Sequence, residues 1–248
     1  MFVKEKPKLH FQRYEFKYHI PMRLADKIVP ALLNYMDFDS HVGDSKDHSY
    51  DVHSIYLDSS GLKNYHEKIE GDLFRKKLRI RSYTKNVKPN DTVFVEIKRK
   101  HNMVIIKDRI SMPLSSAITL ASATGHRSMF KEEDHDVIDE FMLDKSVYGM
   151  RPKVLVSYKR KPLVGRTGSN LRVTFDYDIQ AARVGDLDFS RETKSIYDGM
   201  LVMEVKFNDI LPYWLHEIIQ KYCMEAWPYS KYCFGMEAIR PTLRQFQC

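Results

Sequence analysis

The sequence predicts an α+β fold in which a largely antiparallel sheet carries a few helices on its outer side. Segments that alternate apolar and polar residues with a period of two follow one another in hairpin order. Segments with helical spacing are few and lie between them. No internal repeat and no Pro/Gly/Ser-rich linker divides the chain. We therefore predict a single domain over residues 1–248, with a core from about 11 to 240.

The elements follow from local spacing. Residues 13–18 alternate aromatic with charged side chains, which is typical of a strand. Pro21 is a favoured first helical residue, and apolar residues from Leu24 to Met36 follow at helical spacing, although Pro30 predicts a kink or a break. The same reasoning predicts strands at residues 53–58, 75–83, 93–98, 104–110, 153–161, 171–178 and 201–207, and helices at residues 62–69, 114–123, 131–145 and from near Pro212.

Composition restricts the partners and the compartment. With 43% hydrophobic and 29% charged residues the chain is a folded globular protein, and its net charge of +7 predicts an anionic partner such as nucleic acid, an acidic membrane surface or a phosphorylated small molecule. Cys223, Cys233 and Cys248 have no disulfide or zinc spacing, which favours free thiols in a reducing compartment. The N-terminal residues lack an apolar signal segment and no window is apolar enough to span a membrane, so we predict a cytoplasmic protein.

Several predicted strands place two charges on one face. They are Glu15 with Lys17, Arg79 with Arg81, Glu96 with Lys98, Lys107 with Arg109, Arg172 with Asp176, and Glu204 with Lys206. An antiparallel sheet with one solvated face would explain any one of these pairs. If the sheet closes instead, the charged faces line an interior that is stable only when flooded or filled by an anion, because unpaired buried cations are costly. Phosphate chains bound by arginine and lysine, with a divalent metal held by the glutamates, would suit such an interior.

Eight short motifs, in order along the chain, resemble one known family. They are Arg13-x-Glu15-x-Lys17-Tyr18, Ser54-Ile55-Tyr56-Leu57-Asp58, Leu78-Arg79-Ile80-Arg81, Val95-Glu96-Ile97-Lys98, Tyr158-Lys159-Arg160, Leu171-Arg172-Val173-Thr174-Phe175-Asp176, Met203-Glu204-Val205-Lys206-Phe207 and Ser230-Lys231-Tyr232. Together they resemble the VTC-type polyphosphate polymerase domain of the triphosphate tunnel metalloenzyme (CYTH-like) superfamily. The resemblance covers residues from about Phe11 to Gly235.

The resemblance implies a fold, an activity and a set of site residues. The fold is an antiparallel β-barrel (triphosphate tunnel) with helices packed outside, and the activity is transfer of the γ-phosphate of ATP onto a growing inorganic polyphosphate chain. Lys17, Arg79, Arg81, Lys98, Arg160 and Arg172 would be catalytic, Lys68, Lys107, Lys206, Ser230 and Lys231 would bind phosphate, and Glu204, Glu96 and Glu15 would hold Mn²⁺ or Mg²⁺. The expected ligands are ATP and inorganic polyphosphate or pyrophosphate. Attachment to the inner face of a membrane would need a membrane-protein partner.

The chain departs from relatives within the superfamily in two places. Arg13 stands where hydrolases and cyclases have the first glutamate of a Glu-x-Glu-x-Lys motif, which favours holding polyphosphate over activating a water molecule. Trp227 and Pro228 stand where relatives often have a further basic residue, which predicts a less cationic tunnel exit.

Two alternative functions stay open on the sequence alone. A tripolyphosphatase or nucleoside triphosphatase would share the same fold. A nucleic-acid-binding module would suit the basic charge, but Tyr14, Phe16 and Tyr18 lie on the face opposite the cations, so no stacking surface accompanies the positive charge. Nucleic acid is therefore not expected as a partner.

Overall fold

A curved antiparallel sheet is the frame of the molecule. The computed structural model describes residues 13–43, 45–102, 104–122, 125–166, 169–208 and 210–246. Within these ranges the strands are β1 (Arg13–Pro21), β2 (Met36–Phe38), β3 (Tyr50–Asp58), β4 (Phe74–Ser82), β5 (Thr92–His101), β6 (Val104–Pro113), β7 (Arg151–Gly165), β8 (Arg172–Arg183), β9 (Lys194–Ser195) and β10 (Met200–Asn208). The helices are α1 (Met22–Leu32), α2 (Lys63–Ile69), α3 (Leu114–Ala121), α4 (His135–Tyr148), α5 (Tyr213–Lys221) and α6 (Lys231–Ile239).

The strand order confirms the predicted α+β class with an antiparallel sheet. The order is β1-β10-β8-β7-β3-β4-β5-β6, with β2 added to β7 and β9 added to β8. Every described pairing is antiparallel. Hairpin connections join β4 to β5, β5 to β6 and β7 to β8, as period-two alternation and turn residues predict.

The sheet forms the predicted antiparallel barrel-like frame, and it is not strictly closed because an open seam separates its two ends. Strands β1 and β6 are its two ends, and no ladder joins them within the described ranges. The sheet nevertheless curls until its ends approach each other, since Lys98 Nζ on β5 lies 3.3 Å from both carboxylate oxygens of Glu15 on β1. Strand β6 carries Lys107, Asp108 and Arg109 at this edge, and charged side chains on an edge strand disfavour further pairing.

The two faces of the sheet differ as the alternation predicts. On β4 and β5 the apolar side chains of Leu78, Ile80, Val95 and Ile97 are fully buried and pack with Phe141 of α4 in one hydrophobic cluster. A second cluster lies where α1 and α5 cover β1, β8 and β10. The hydrophobic core therefore lies largely between the sheet and its helices, which leaves the charged face of the sheet to line the interior.

The chain departs locally from the predicted helices. Helix α1 runs through Pro30 and ends at Leu32, so Met36 lies in β2 rather than in the helix. Helix α6 was not predicted, because it is buried on several sides and shows no single apolar stripe. Its N-cap residue is Ser230, whose hydroxyl accepts a hydrogen bond from the backbone N–H of Cys233. The predicted turn between β7 and β8 includes residues 167 and 168, which lie outside the described residues.

None of the helices in the described parts of the chain has the length and apolar character that crossing a lipid bilayer requires.

Candidate active site

A cavity of about 1050 Å³ lies inside the curve of the sheet. Its lining includes three acidic side chains, Glu15, Asp39 and Glu204. Thirteen basic side chains of the described residues line it as well: Lys17, Lys68, Arg75, Lys77, Arg79, Arg81, Lys98, Lys100, Lys107, Arg160, Arg172, Lys206 and Lys231. So large an excess of cations, facing one enclosed space, is stable only if water or an anion fills it.

The structure brings together almost all of the predicted site residues. Each residue predicted to be catalytic or to bind phosphate lines the cavity, and so do Glu15 and Glu204 from the predicted metal set. Glu96 does not line it, because its side chain is fully buried. The basic side chains around it, which we call the basic layer, are Arg79, Arg81, Lys107 and Arg109. The side chain of Arg13 lies outside the described residues.

Glu96 lies at the centre of a cross-strand cluster on β4, β5 and β6. The strand register places it directly between Arg79 and Arg109. It pairs with the guanidinium of Arg79, with Arg109 Nη2 at 2.5 Å and with Lys107 Nζ at 2.6 Å. Burial alone would raise the pKa of Glu96, but these cations and Arg81 hold it well below its usual value. Its charge therefore serves to hold the basic layer together.

Arg81 differs from its neighbour Arg79 because its nearest carboxylate is farther away. Its Nε donates to Ser54 Oγ at 3.1 Å, and its Nη2 lies 3.5 Å from the hydroxyl of Tyr158. The nearest carboxylate oxygen, on Glu96, is 3.9 Å from Nε. Neutral hydroxyls position this guanidinium without cancelling its charge, so it remains available to an anion in the cavity.

Lys17 and the two glutamates form the opposite wall, on β1 and β10. Lys17 lies directly across the ladder from Glu204, and its Nζ is 2.9 Å from Glu15. Lys206 Nζ contacts Glu204 at 2.8 Å. Burial favours the neutral form of each group, yet the opposite charges outweigh it: the pKa of Lys17 is raised, and the pKa values of Glu15 and Glu204 are lowered. All three are therefore charged at neutral pH.

A second buried carboxylate supports the end of the cavity where α6 begins. Asp176 is fully buried and accepts from Arg160 Nε at 2.6 Å and from Lys231 Nζ at 2.6 Å. The hydroxyl of Ser230 accepts from Lys77 Nζ at 2.9 Å. The N-terminus of α6, which favours negative charge, is thus presented to the cavity beside two lysines.

Sequence reasoning placed Lys77 on the charged face of β4 but assigned no role to it, and it missed two further basic residues of the lining, Arg75 and Lys100. The signal was present, because Arg75 and Lys77 share the face of Arg79 and Arg81 on β4, and Lys100 shares the face of Lys98 on β5. Period-two alternation extended to both ends of each strand would have found them.

Glu15 and Glu204 are the acids that could hold a divalent metal in the cavity. Both lie beside Lys17, whose Nζ is 2.9 Å from Glu15 and which pairs with Glu204 across the ladder, and the charge of Glu204 acts to raise the pKa of Glu15. Among the described residues no group of three or more His, Cys, Asp or Glu side chains could hold an ion by itself. Two carboxylates nevertheless suit Mg²⁺, which keeps several waters and completes its shell with substrate phosphates. The donor set therefore fits a metal that binds together with phosphate.

Phosphate binding here is expected to take up protons near neutral pH. Burial lowers the pKa of Lys98 to about 7 and that of Lys107 to about 8, against the attraction of Glu15 and Glu96. A bound phosphate stabilises the charged ammonium, so both pKa values rise on binding and the complex holds more protons than the free protein. Affinity for tripolyphosphate should therefore fall as the pH rises from about 7 to about 9.

Calorimetry in two buffers that differ in ionisation enthalpy measures this proton uptake. The Lys98→Gln variant is the matched control, because subtracting its value from that of the natural protein cancels the titration of the ligand itself. The variant should take up fewer protons at pH 8. Equal uptake by the two proteins would contradict the assignment of a neutral fraction to Lys98.

The curved sheet and its basic interior define a protein of the tunnel-fold class. In sequence, the VTC domain model matches residues 12–240. The chain belongs to the VTC domain family, which confirms the resemblance drawn from the eight motifs.

Comparison with solved structures gives distant likenesses. A Bacillus halodurans protein, provisionally assigned as an adenylate cyclase, is 12% identical, with 88% of this chain and 95% of that chain covered and a TM-score of 0.49. A Vibrio parahaemolyticus protein with the same provisional assignment is 11% identical, with 89% and 97% covered and a TM-score of 0.47. No curated protein matches the sequence.

Proposed function

We propose that this protein is a metal-dependent polyphosphate polymerase, which transfers the γ-phosphate of ATP onto a growing inorganic polyphosphate chain inside the basic cavity. The observation that carries the proposal is the composition of the lining, where thirteen basic side chains of the described residues face three acidic ones. A linear phosphate chain has about one negative charge per phosphate and many acceptor oxygens, and therefore matches such a lining.

The size of the cavity supports two phosphate ligands at once. Pockets for small molecules usually have volumes of about 300–1000 Å³. At about 1050 Å³ the cavity lies at the upper end of that range, and its lining comes from the strands, from α2 and from the start of α6. A nucleoside triphosphate and the end of an acceptor chain would both fit in the cavity.

The low basicity of the three acidic side chains in the cavity favours transfer to phosphate over hydrolysis. Glu15 and Glu204 are ion-paired with lowered pKa values, and Asp39 accepts from the backbone N–H of His41 at 3.0 Å, so all three are weak bases. Activation of water needs a base, whereas the terminal phosphate of a chain is already ionised. In-line attack by that oxygen would then depend on positioning and charge stabilisation alone.

The chain's own residues divide these roles. Arg79, Arg81 and Arg160 would hold the phosphoryl group and stabilise the charge that develops during transfer. The lysines of the lining, with Ser230, would bind the remaining phosphates along the cavity. Glu204 and Glu15 would hold Mn²⁺ or Mg²⁺, which when bound neutralises phosphate oxygens. Glu96, although part of the predicted metal set, is fully enclosed by basic side chains, and we assign it the role of an internal counter-ion.

We also place the reaction in the cytoplasm, beside a membrane-protein partner that would take up the product chain. Cys223 and Cys233 are free thiols, which suits a reducing compartment.

Incubation of the purified protein with ATP and Mn²⁺ tests the proposed function. Long phosphate chains should appear on a gel, and the Lys17→Ala variant should make few or none because it loses a cation of the cavity wall. A tripolyphosphatase or nucleoside triphosphatase, the alternative function for this fold, would instead release only orthophosphate in the same incubation of the natural protein. That result would contradict the polymerase proposal.

A further inference from the structure

The inward face of the sheet changes from cationic to aromatic at one end of the cavity. On β4, Tyr83 follows the strand directly and continues the face of Arg79 and Arg81. On β5, Phe94 continues the face of Glu96 and Lys98. On β3, Tyr50 is the first residue of the strand and lines the cavity. The side chains of Tyr50, Tyr83 and Phe94 therefore form one layer, which we call the aromatic layer.

The rings of this layer contact one another. The centroids of Tyr50 and Tyr83 are 5.7 Å apart with an interplanar angle of 77°, and those of Tyr83 and Phe94 are 5.5 Å apart at 67°. The guanidinium of Arg109 lies 4.6 Å from the centroid of Phe94, and its Nη2 donates to the hydroxyl of Tyr83 at 3.1 Å. Edge-to-face contacts and a guanidinium cover hold the rings in a fixed arrangement.

The aromatic layer is also open to solvent. Tyr83 is 38% exposed, although it contacts two other rings and an arginine. Buried aromatic clusters stabilise a core by losing their contact with water, and this one keeps a substantial part of it. An exposed, prearranged ring that contacts Tyr50 of the cavity lining is suited to receive a planar group.

The layer adjoins the phosphate-binding cations directly. Phe94 lies opposite Arg81 in the ladder between β4 and β5. Tyr83 follows Arg81 by two residues, about 7 Å along an extended chain. Arg81 also contributes to lowering the pKa of Tyr83, although burial acts in the opposite direction. A ligand whose phosphates contact Arg81 would therefore extend to the rings if it carried a flat group at one end.

We propose that the aromatic layer is the binding site for the base of the nucleoside triphosphate, which stacks on Tyr83 while its phosphates enter the cationic part of the cavity. This inference rests on the proposed function. Every base has a π-face, so stacking tolerates any base and adds affinity without hydrogen bonds to its edges. It also gives the nucleotide a fixed direction, with the base at this end and the γ-phosphate inside.

Binding of ATP and of inorganic tripolyphosphate, measured by calorimetry, tests the site. The two ligands share three linked phosphates and differ in the nucleoside. Compared with Tyr83→Phe, which lacks the same hydroxyl, the Tyr83→Ala variant should raise the dissociation constant for ATP about tenfold, the scale of one lost base–aromatic stack, and should leave that for tripolyphosphate within about twofold. Phe74→Ala is the matched control, because Phe74 is an exposed aromatic at the other end of β4, and it should change neither constant.

A second variant separates stacking from the hydroxyl group. Tyr83→Phe keeps the ring and loses the hydroxyl's hydrogen bonds to Arg109 and Arg81, so it isolates the contribution of the ring and should bind ATP within about twofold of the natural protein. An equal loss of affinity for both ligands in Tyr83→Ala, or no loss for ATP, would overturn the assignment of the base site. If the natural protein binds neither ligand, the proposed function fails as well, so the two failures are distinguishable.

Discussion

Replacing Arg81 with alanine is expected to lower the rate of polyphosphate synthesis by about 100- to 1000-fold, the usual cost of removing one preorganised donor to a transition-state oxyanion. Arg81 is the strongest choice because the residue is 4% exposed, Ser54 and Tyr158 fix its guanidinium, and its nearest carboxylate oxygen is 3.9 Å away. Its positive charge is therefore directed to the ligand. The free energy of unfolding should fall less than the activity, since Glu96 keeps Arg79, Lys107 and Arg109 as closer counter-charges and the hydrogen-bond partners left behind are hydroxyls.

Lys159→Ala is the matched control for this variant. Lys159 is an exposed cation on β7, next to Arg160 in sequence and on the opposite face of the strand. Steady-state rates with saturating ATP and Mn²⁺, together with a thermal melt of each protein, separate catalysis from folding. The account is wrong about Arg81 if its alanine variant keeps a rate within about threefold of that of Lys159→Ala.

The Glu96→Gln variant is expected to be less stable than the natural protein by about 3–5 kcal/mol, the usual cost of removing one partner from a buried ion pair. The amide has nearly the same shape but no charge, so Arg79, Arg109 and Lys107 would face each other without their common counter-ion. An anion in the cavity should compensate for the lost charge. Tripolyphosphate should therefore raise the melting temperature of the variant more than that of the natural protein.

Asp139→Asn provides the comparison for a solvated pair. Asp139 lies 3.2 Å from Arg127 on the surface, with about half of each side chain exposed, and such pairs contribute about 0–1 kcal/mol. Denaturant unfolding with and without tripolyphosphate measures both effects. A Glu96→Gln protein as stable as Asp139→Asn would show that Glu96 does not hold the basic layer together.

Alternation along the strands carried most of the information about the site. It placed Lys17, Arg79 and Arg81 on charged faces and Leu78 and Ile80 on the opposite one, and the sheet has these orientations. Whether the charged faces meet in one space depends on the curvature of the sheet, which no single strand encodes. The eight ordered motifs supplied that information through the family resemblance.

Three other structural features could not be predicted from the sequence. Glu96 and Glu204 have the same Glu-x-Lys pattern, yet one is enclosed by cations and the other faces the cavity, because the neighbouring strands differ in what they place beside each. The seam between β1 and β6 depends on strand tilt summed over the whole sheet. The aromatic layer required the ends of three strands to be aligned, which only the register shows.

A crystal structure with tripolyphosphate and Mn²⁺ bound is the most direct test of the claim that these strands converge on one phosphate-binding space. The account predicts density for the phosphates inside the curve of the sheet, in contact with Lys17, Arg81 and Lys231. Phosphates bound only on the outer surface at saturating ligand, with none among these three side chains, would contradict it.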